Sequence, residues 1–177
     1  MKIGVIGGGR VGGALAATWR EHGHEVQIST RETVAATTRP SDVLVLAVPA
    51  TAVPEVLAEV ELDGKILVDA TNNLSGGPSG AEVAALAAGA QYVKAFNTVF
   101  ATFMHDTPPS PPASLVFCGD DADAKAAAMR LIEDAGFEPV DAGGGESTPL
   151  LDAFARLVIG IAYRQGRGPF VYRFQGR

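Results

Sequence analysis

A chain of 177 residues, 47% of them hydrophobic, is long enough to bury a core and too apolar for disorder. Its formal net charge of −6 excludes nucleic acid as the main partner. A lone cysteine, Cys118, excludes an internal disulfide framework, and no apolar run reaches a membrane span, so one soluble, cytoplasmic domain over 1–177 is expected.

Residues 2–16 read KIGVIGGGRVGGALA. They predict a buried strand over 2–6, a tight turn, and a helix over 10–22 closed by Gly23. Gly7, Gly9 and Gly12 stand at G-x-G-x-x-G spacing, the dinucleotide fingerprint of a βαβ unit. Gly7 allows the sharp exit from the strand, Gly9 lets a pyrophosphate come against the backbone, and Gly12 lets helix and strand pack closely. Gly8, Arg10 and Val11 complete the turn, and the free N–H groups of the helix start attract phosphate. The inner face of the helix carries Val11, Leu15 and Trp19.

A second strand is predicted over 25–29, flanked by His22 and His24 as solvated turn residues. An Asp or Glu near its end would bind a ribose 2′-hydroxyl; this chain has Ser29, Thr30 and Arg31 instead. A guanidinium binds a 2′-phosphate and Thr30 adds a hydrogen bond, so NADP is favoured over NAD. The competing reading pairs Arg31 with Glu32 or Glu21 on the surface. Only residues 32–41 precede the next apolar run, about the shortest parallel crossover. The segment predicts one irregular turn or a short helix over 32–37, no third strand of the usual kind, strand 25–29 at a sheet edge, and a shallow adenine pocket.

The run DVLVLAV over 42–48 predicts a buried strand that ends at Val48 and Pro49, facing the same crevice as the glycine turn. A helix is expected over 51–61 with Val53, Val56, Leu57 and Val60 on one face, then a strand over 65–69. Asn72 and Asn73 follow at its carboxyl end, where doubly wound sheets bind ligands, although a plain turn would also use them. A loop over 75–80 leads to a helix over 81–88. A strand over 91–95 ends in Ala95, Phe96 and Asn97. Phe96 and Phe100 could form an apolar wall and Asn97 could bind a carboxamide; core packing and a helix cap are the alternative. TPPSPP over 107–112 predicts a stiff loop, and His105 before it is an isolated histidine.

The remainder predicts a strand over 115–119 with Cys118 buried, a helix capped by Asp120 or Asp121 and ended by Gly136, and a last strand over 137–141. A helix over 149–165 follows. From Ala153 onward the chain has five arginines (Arg156, Arg164, Arg167, Arg173, Arg177) and no acid, a basic end that can attract an anionic substrate. No metal-ligand cluster, Ser-His-Asp set or activated cysteine stands out, so no catalytic side chain is assigned. The element order is that of a doubly wound, Rossmann-type α/β domain with a mostly parallel sheet.

These residues together resemble the deazaflavin-dependent NADP oxidoreductases, which move hydride between NADP and coenzyme F420. The resemblance is carried by KIGVIGGGRVGGALA, Thr30-Arg31, VLAVP, VDATN, VKAFNTVFA, GDDADAKAAAMRLIEDAGFEPVDAG and ARLVIGIAYRQGRGP, in order along nearly the whole chain. It implies that the glycine turn holds the pyrophosphate and Thr30-Arg31 the 2′-phosphate, with the Pro49 and Ala95–Asn97 regions approaching the nicotinamide. It also implies a deazaflavin or flavin co-substrate and, with the apolar C-terminal helix, a homodimer. The chain departs from the family at Gly8, where Thr is common, at Arg10, where Asn is common, and in the short segment after Arg31. Three readings remain: a hydride-transferring reductase, a non-catalytic NADP-binding module, or a reductase of another small acceptor such as an imine, a ferric centre or a flavin.

Overall fold

In the computed structural model, which describes residues 1–105 and 110–176, seven strands among the described residues form one sheet. They are β1 (Lys2–Ile6), β2 (Glu25–Ser29), β3 (Val43–Leu46), β4 (Ile66–Asp69), β5 (Gln91–Lys94), β6 (Ser114–Gly119) and β7 (Glu138–Asp141). Their order across the sheet is β2-β1-β3-β4-β5-β6-β7. The first five are parallel, so their carboxyl ends share one edge. β6 runs antiparallel to β5 through two paired positions, Val93 with Gly119 and Lys94 with Cys118, and β7 lies parallel to β6.

The helices are α1 (Arg10–Glu21), α2 (Val34–Thr38), α3 (Val53–Leu57), α4 (Gly80–Leu86), α5 (Ala122–Asp134) and α6 (Thr148–Ile159). They cover both faces of the sheet, which is why β3 is apolar at every position and buried throughout. Neighbouring residues of β1 point to opposite faces: Val5 joins a cluster with Leu15, Trp19, Phe117 and Leu131, and Ile6 joins one with Leu44, Leu57 and Val83. Trp19 is fully buried and its indole N–H donates to the Leu131 carbonyl at 2.9 Å. The doubly wound, Rossmann-type sheet is the architecture expected from the sequence.

The short crossover from β2 to β3 is a 3₁₀ turn over Arg31–Thr33 followed by α2. α2 stops just before Arg39-Pro40, since the residue preceding a proline is pushed out of the helical region. No strand fits in this length, and β2 is the sheet edge.

Several local expectations are corrected. The helix expected over 51–61 is a 3₁₀ turn, Ala50–Ala52, and then only the five residues of α3. Beyond it Glu59 and Val60 donate to carbonyls three residues back, and these tighter turns carry the chain to Leu62 in the same core cluster. The expected helix over 149–165 is α6 followed by a π-helical turn over Gly160–Arg164, closed by the Gln165 N–H on the Gly160 carbonyl. The widening begins at Gly160, a poor helix former.

His24 is not a solvated turn residue. Its side chain is 7% exposed and its Nε2 donates to Asp134 Oδ2 at 2.8 Å, while Nδ1 faces the Met1 ammonium at 3.3 Å. His22 does lie at the surface. Asp121, of the two aspartates proposed as caps, accepts the Ala124 N–H at the start of α5. Residues 107–109 of the expected proline-rich loop lie outside the described residues; residues 110–112 are irregular.

Candidate functional site

The glycine turn sits at the carboxyl end of β1. Gly7 has φ +106°, a left-handed conformation, and a Cβ there would stand 2.5 Å from the Ala47 carbonyl oxygen. A Cβ on Gly12 would collide with the Gly7 carbonyl oxygen and press on Val5, so α1 can approach β1 only with glycine there. A Cβ on Gly9 would meet nothing within 4 Å, and the residue is exposed. Gly9 is the N-cap of α1, no side chain caps that end, and no acid lies in its first turn. The turn is therefore a surface of open backbone amides facing solvent at the positive end of a twelve-residue helix.

A pocket opens on each side of this turn. The first, of about 310 Å³, is lined by Gly7, Ser29, Thr30, Arg31, Val34, Val48 and Pro49, with Ala52 and Val56 opposite. Thr30 is held by a reciprocal contact: its backbone N–H donates to Thr33 Oγ1 at 2.9 Å. Arg31 pairs with neither Glu32 nor Glu21. Its Nη2 donates to both carboxylate oxygens of Glu55, at 2.7 and 2.5 Å, from across the pocket. Ser29 Oγ is buried at the end of β2 without a hydrogen-bond partner.

The second pocket, of about 250 Å³, is lined by Arg10, Val11, Asn72, Asn97 through Thr102, and the inner face of α6. Its walls are mostly apolar: Val99, Phe100, Ala155, Val158 and Ile159, with Tyr163 and Pro169 at the far side. Phe100 packs edge-on against Tyr163 and Phe170. Asn72 Nδ2 donates to the Asn97 carbonyl at 2.8 Å and Asn97 Nδ2 to the Leu151 carbonyl at 3.3 Å. Asn97 Oδ1 is buried and has no partner. Phe96 is not part of this wall. It holds φ +66° and turns its ring into the core, edge-on to Trp19 at 5.6 Å between centroids. That unusual backbone sends one residue inward and the next, Asn97, to the cleft.

Beneath the second pocket lies a buried ionic cluster that the sequence reading missed. Lys94, 1% exposed, donates from Nζ to Asp69 Oδ2 and to the Thr71 carbonyl, both at 2.8 Å, and lies 3.4 Å from Asp152 Oδ1. Asp69 Oδ1 accepts the Thr71 N–H and Oδ2 accepts the Tyr92 hydroxyl, each at 2.8 Å. Asp152 Oδ2 accepts the Gly80 N–H at the start of α4. Burial, and then the neighbouring Asp69 carboxylate, push the Tyr92 phenol far above its ordinary range, so it remains a donor. Burial likewise raises the Cys118 thiol, an unreactive interior group. The cluster joins β4, β5, α4 and α6, and through Thr71 and Leu151 it fixes the backbone around Asn72 and Asn97. Its signal in the sequence was a charge inside two otherwise apolar strands, ILVD and QYVK.

The expected site residues thus divide. Gly7, Thr30, Arg31, Val48 and Pro49 line the first pocket; Arg10, Val11, Asn72 and Asn97 line the second. Gly8 and Gly9 are exposed in the turn between, and Gly12, Ala95 and Phe96 are buried behind it. The basic tail does not converge on the cleft: Arg173 pairs with Glu138 and Arg167 lies over the Phe170 ring. Arg177 lies outside the described residues. Among the described residues no group of three or more His, Cys, Asp and Glu could hold a metal ion, and no helix is long and apolar enough to cross a membrane.

The family model described as NADP oxidoreductase coenzyme F420-dependent matches residues 29–73, from the end of β2 through Asn73. A solved structure of a candidate F420-dependent NADP reductase from Arthrobacter sp. FB24 superposes with a TM-score of 0.89 at 24% identity, covering 99% of this chain and 100% of that one. A hypothetical protein from Sinorhizobium meliloti is 28% identical, with a TM-score of 0.68 over 84% of this chain and 88% of that one. A reductive aminase from Aspergillus terreus, solved with NADPH and ethyl levulinate, has a TM-score of 0.72 at 19% identity, and this chain covers 62% of its length. The chain therefore carries the Rossmann-type fold of these structures, and its resemblance to the coenzyme F420-dependent NADP oxidoreductases is matched by the family model over residues 29–73.

Proposed function

We propose that the protein is an NADP(H)-dependent oxidoreductase that passes hydride between NADP and a deazaflavin or flavin-type acceptor. One observation carries the proposal: an open, uncapped glycine turn stands between a pocket with a guanidinium and an apolar pocket with a buried, unpartnered amide oxygen. That sequence of features matches the order of groups along NADP. The amides of the Gly7–Gly12 turn would take the diphosphate, Thr30 and Arg31 the 2′-phosphate, and Asn97 Oδ1 the carboxamide N–H₂ of the nicotinamide. NADP supplies the hydride when bound. What remains for the chain is to hold two flat rings together and keep water out. Val99, Phe100, Val158 and Tyr163 provide the apolar walls. The exposed Leu150 and Leu157 on α6 support a homodimer, which a monomer mass in light scattering would refute.

Two measurements test the reading. Calorimetric titration with NADPH and NADH should show NADPH binding more tightly, and Arg31→Glu should weaken NADPH by about tenfold or more while sparing NADH. Equal losses for both nucleotides would remove Arg31 from the phosphate site. Mixing NADPH, protein and an oxidised deazaflavin should bleach the 340 nm band. NADPH binding with no bleaching by any deazaflavin or flavin would make the protein a binding module or a reductase of another acceptor.

A further inference from the structure

Arg31, which lines the first pocket, already has a charged partner: Glu55 of α3, whose neighbours Ala52 and Val56 line the same pocket. Arg31 reaches from the 3₁₀ turn after β2, on one wall; Glu55 reaches from α3, on the wall formed with Ala52 and Val56. Both Glu55 oxygens accept from the same Nη2. A carboxylate held this way offers a guanidinium what a phosphate offers: two oxygens sharing negative charge. We propose that Glu55 is a specificity-determining residue, an internal stand-in for the 2′-phosphate that bridges the mouth of the pocket until NADP displaces it. The inference rests on the assignment of Arg31 to the 2′-phosphate and adds a second residue to it.

The physical consequence has a definite sign. To bind NADP, Arg31 must exchange Glu55 for the 2′-phosphate, and Glu55 is then left beside that anion. Both effects oppose NADPH. NADH brings no phosphate, so it leaves the Arg31–Glu55 pair in place and gains nothing from removing Glu55. Arg31 and Glu55 have side chains 76% and 59% exposed, so the pair is solvent-screened and its strength is that of a surface ion pair. Releasing it should tighten NADPH by about two- to fivefold. The same argument makes the gain fall as ionic strength rises.

The test is a calorimetric titration of NADPH and NADH into wild type, Glu55→Gln, Arg31→Gln and the double variant, at low and high salt. The expected result is a gain of about two- to fivefold for NADPH in E55Q at low salt, no change for NADH, and a smaller gain when E55Q is added to R31Q. Both positions are exposed, and unchanged melting temperatures confirm intact folds. If E55Q leaves NADPH binding unchanged or weakens it, the inference is overturned while R31Q still tests the phosphate site by itself. A gain that is undiminished in the R31Q background, or that is equal for NADH, also overturns it, because Glu55 would then act without Arg31. Failure of R31Q to weaken NADPH selectively sinks the Arg31 assignment and this inference with it.

Discussion

The two ends of the cleft are built on opposite electrostatic plans. At the β2 end the charged pair Arg31–Glu55 stands in solvent on short helical segments of three and five residues. At the β5 end the charged residues Asp69, Lys94 and Asp152 are buried under the pocket and touch no part of its surface. Screened charges cost little to rearrange, so the first end can exchange partners as a ligand arrives. Buried charges cannot be separated cheaply, so the second end holds its shape. A pocket that reads a phosphate benefits from the first plan, and one that must align a ring benefits from the second.

The strongest way to break this comparison is to cut each plan at its cation. Lys94→Met leaves two carboxylates buried without their counter-charge and should cost about 3–5 kcal/mol, read as a lowered urea midpoint. Arg31→Met should move the same midpoint by less than about 0.5 kcal/mol. Similar losses for the two would erase the distinction. Next in size, Gly12→Ala tests the joint between the ends. Its methyl group would drive α1 away from the Gly7 carbonyl, at a cost of about 1–3 kcal/mol and with weaker binding of both NADPH and NADH.

The smallest effect concerns how the edge strand is pinned. His24, just before β2, donates to Asp134 on α5, which Arg130 also contacts. Burial pushes the Asp134 carboxyl up, but these hydrogen bonds outweigh it and its pKa falls below the ordinary 3.8. A depressed carboxyl adds stability that is present above its unfolded pKa and lost as the pH falls through the folded one. Asp134→Asn should therefore cost about 1 kcal/mol at neutral pH, and its gap from wild type should close as the pH drops below 3.8. A gap that stays constant down to pH 2.5 would show that the charge on Asp134 does not matter.

Much of this was legible in the chain because it depends on local rules. The glycine turn follows from backbone sterics at Gly7 and Gly12, and β1 and β2 fall on their expected residues because apolar alternation and turn residues agree there. The edge position of β2 followed from counting residues in the crossover. What stayed hidden depends on contacts distant in sequence. Lys94 with Asp152, Arg31 with Glu55, and His24 with Asp134 each join segments with no periodicity to link them. Phe96 was open between a wall and the core for a different reason: its aromatic character suits both, and a positive φ, which only the fold reveals, turns it inward.

The reversal of direction at β5 has a mechanical side. The seam between β5 and β6 is stitched by two residue pairs, against five between β1 and β2 and four between β3 and β4. Sliding or splaying a sheet strains every rung across the moving line, so the cheapest place to hinge is the shortest ladder. Across that line, α6 is held to the parallel half of the molecule by Asp152, which accepts the Gly80 N–H and lies 3.4 Å from Lys94, so the buried cluster supplies the tie that the short ladder lacks.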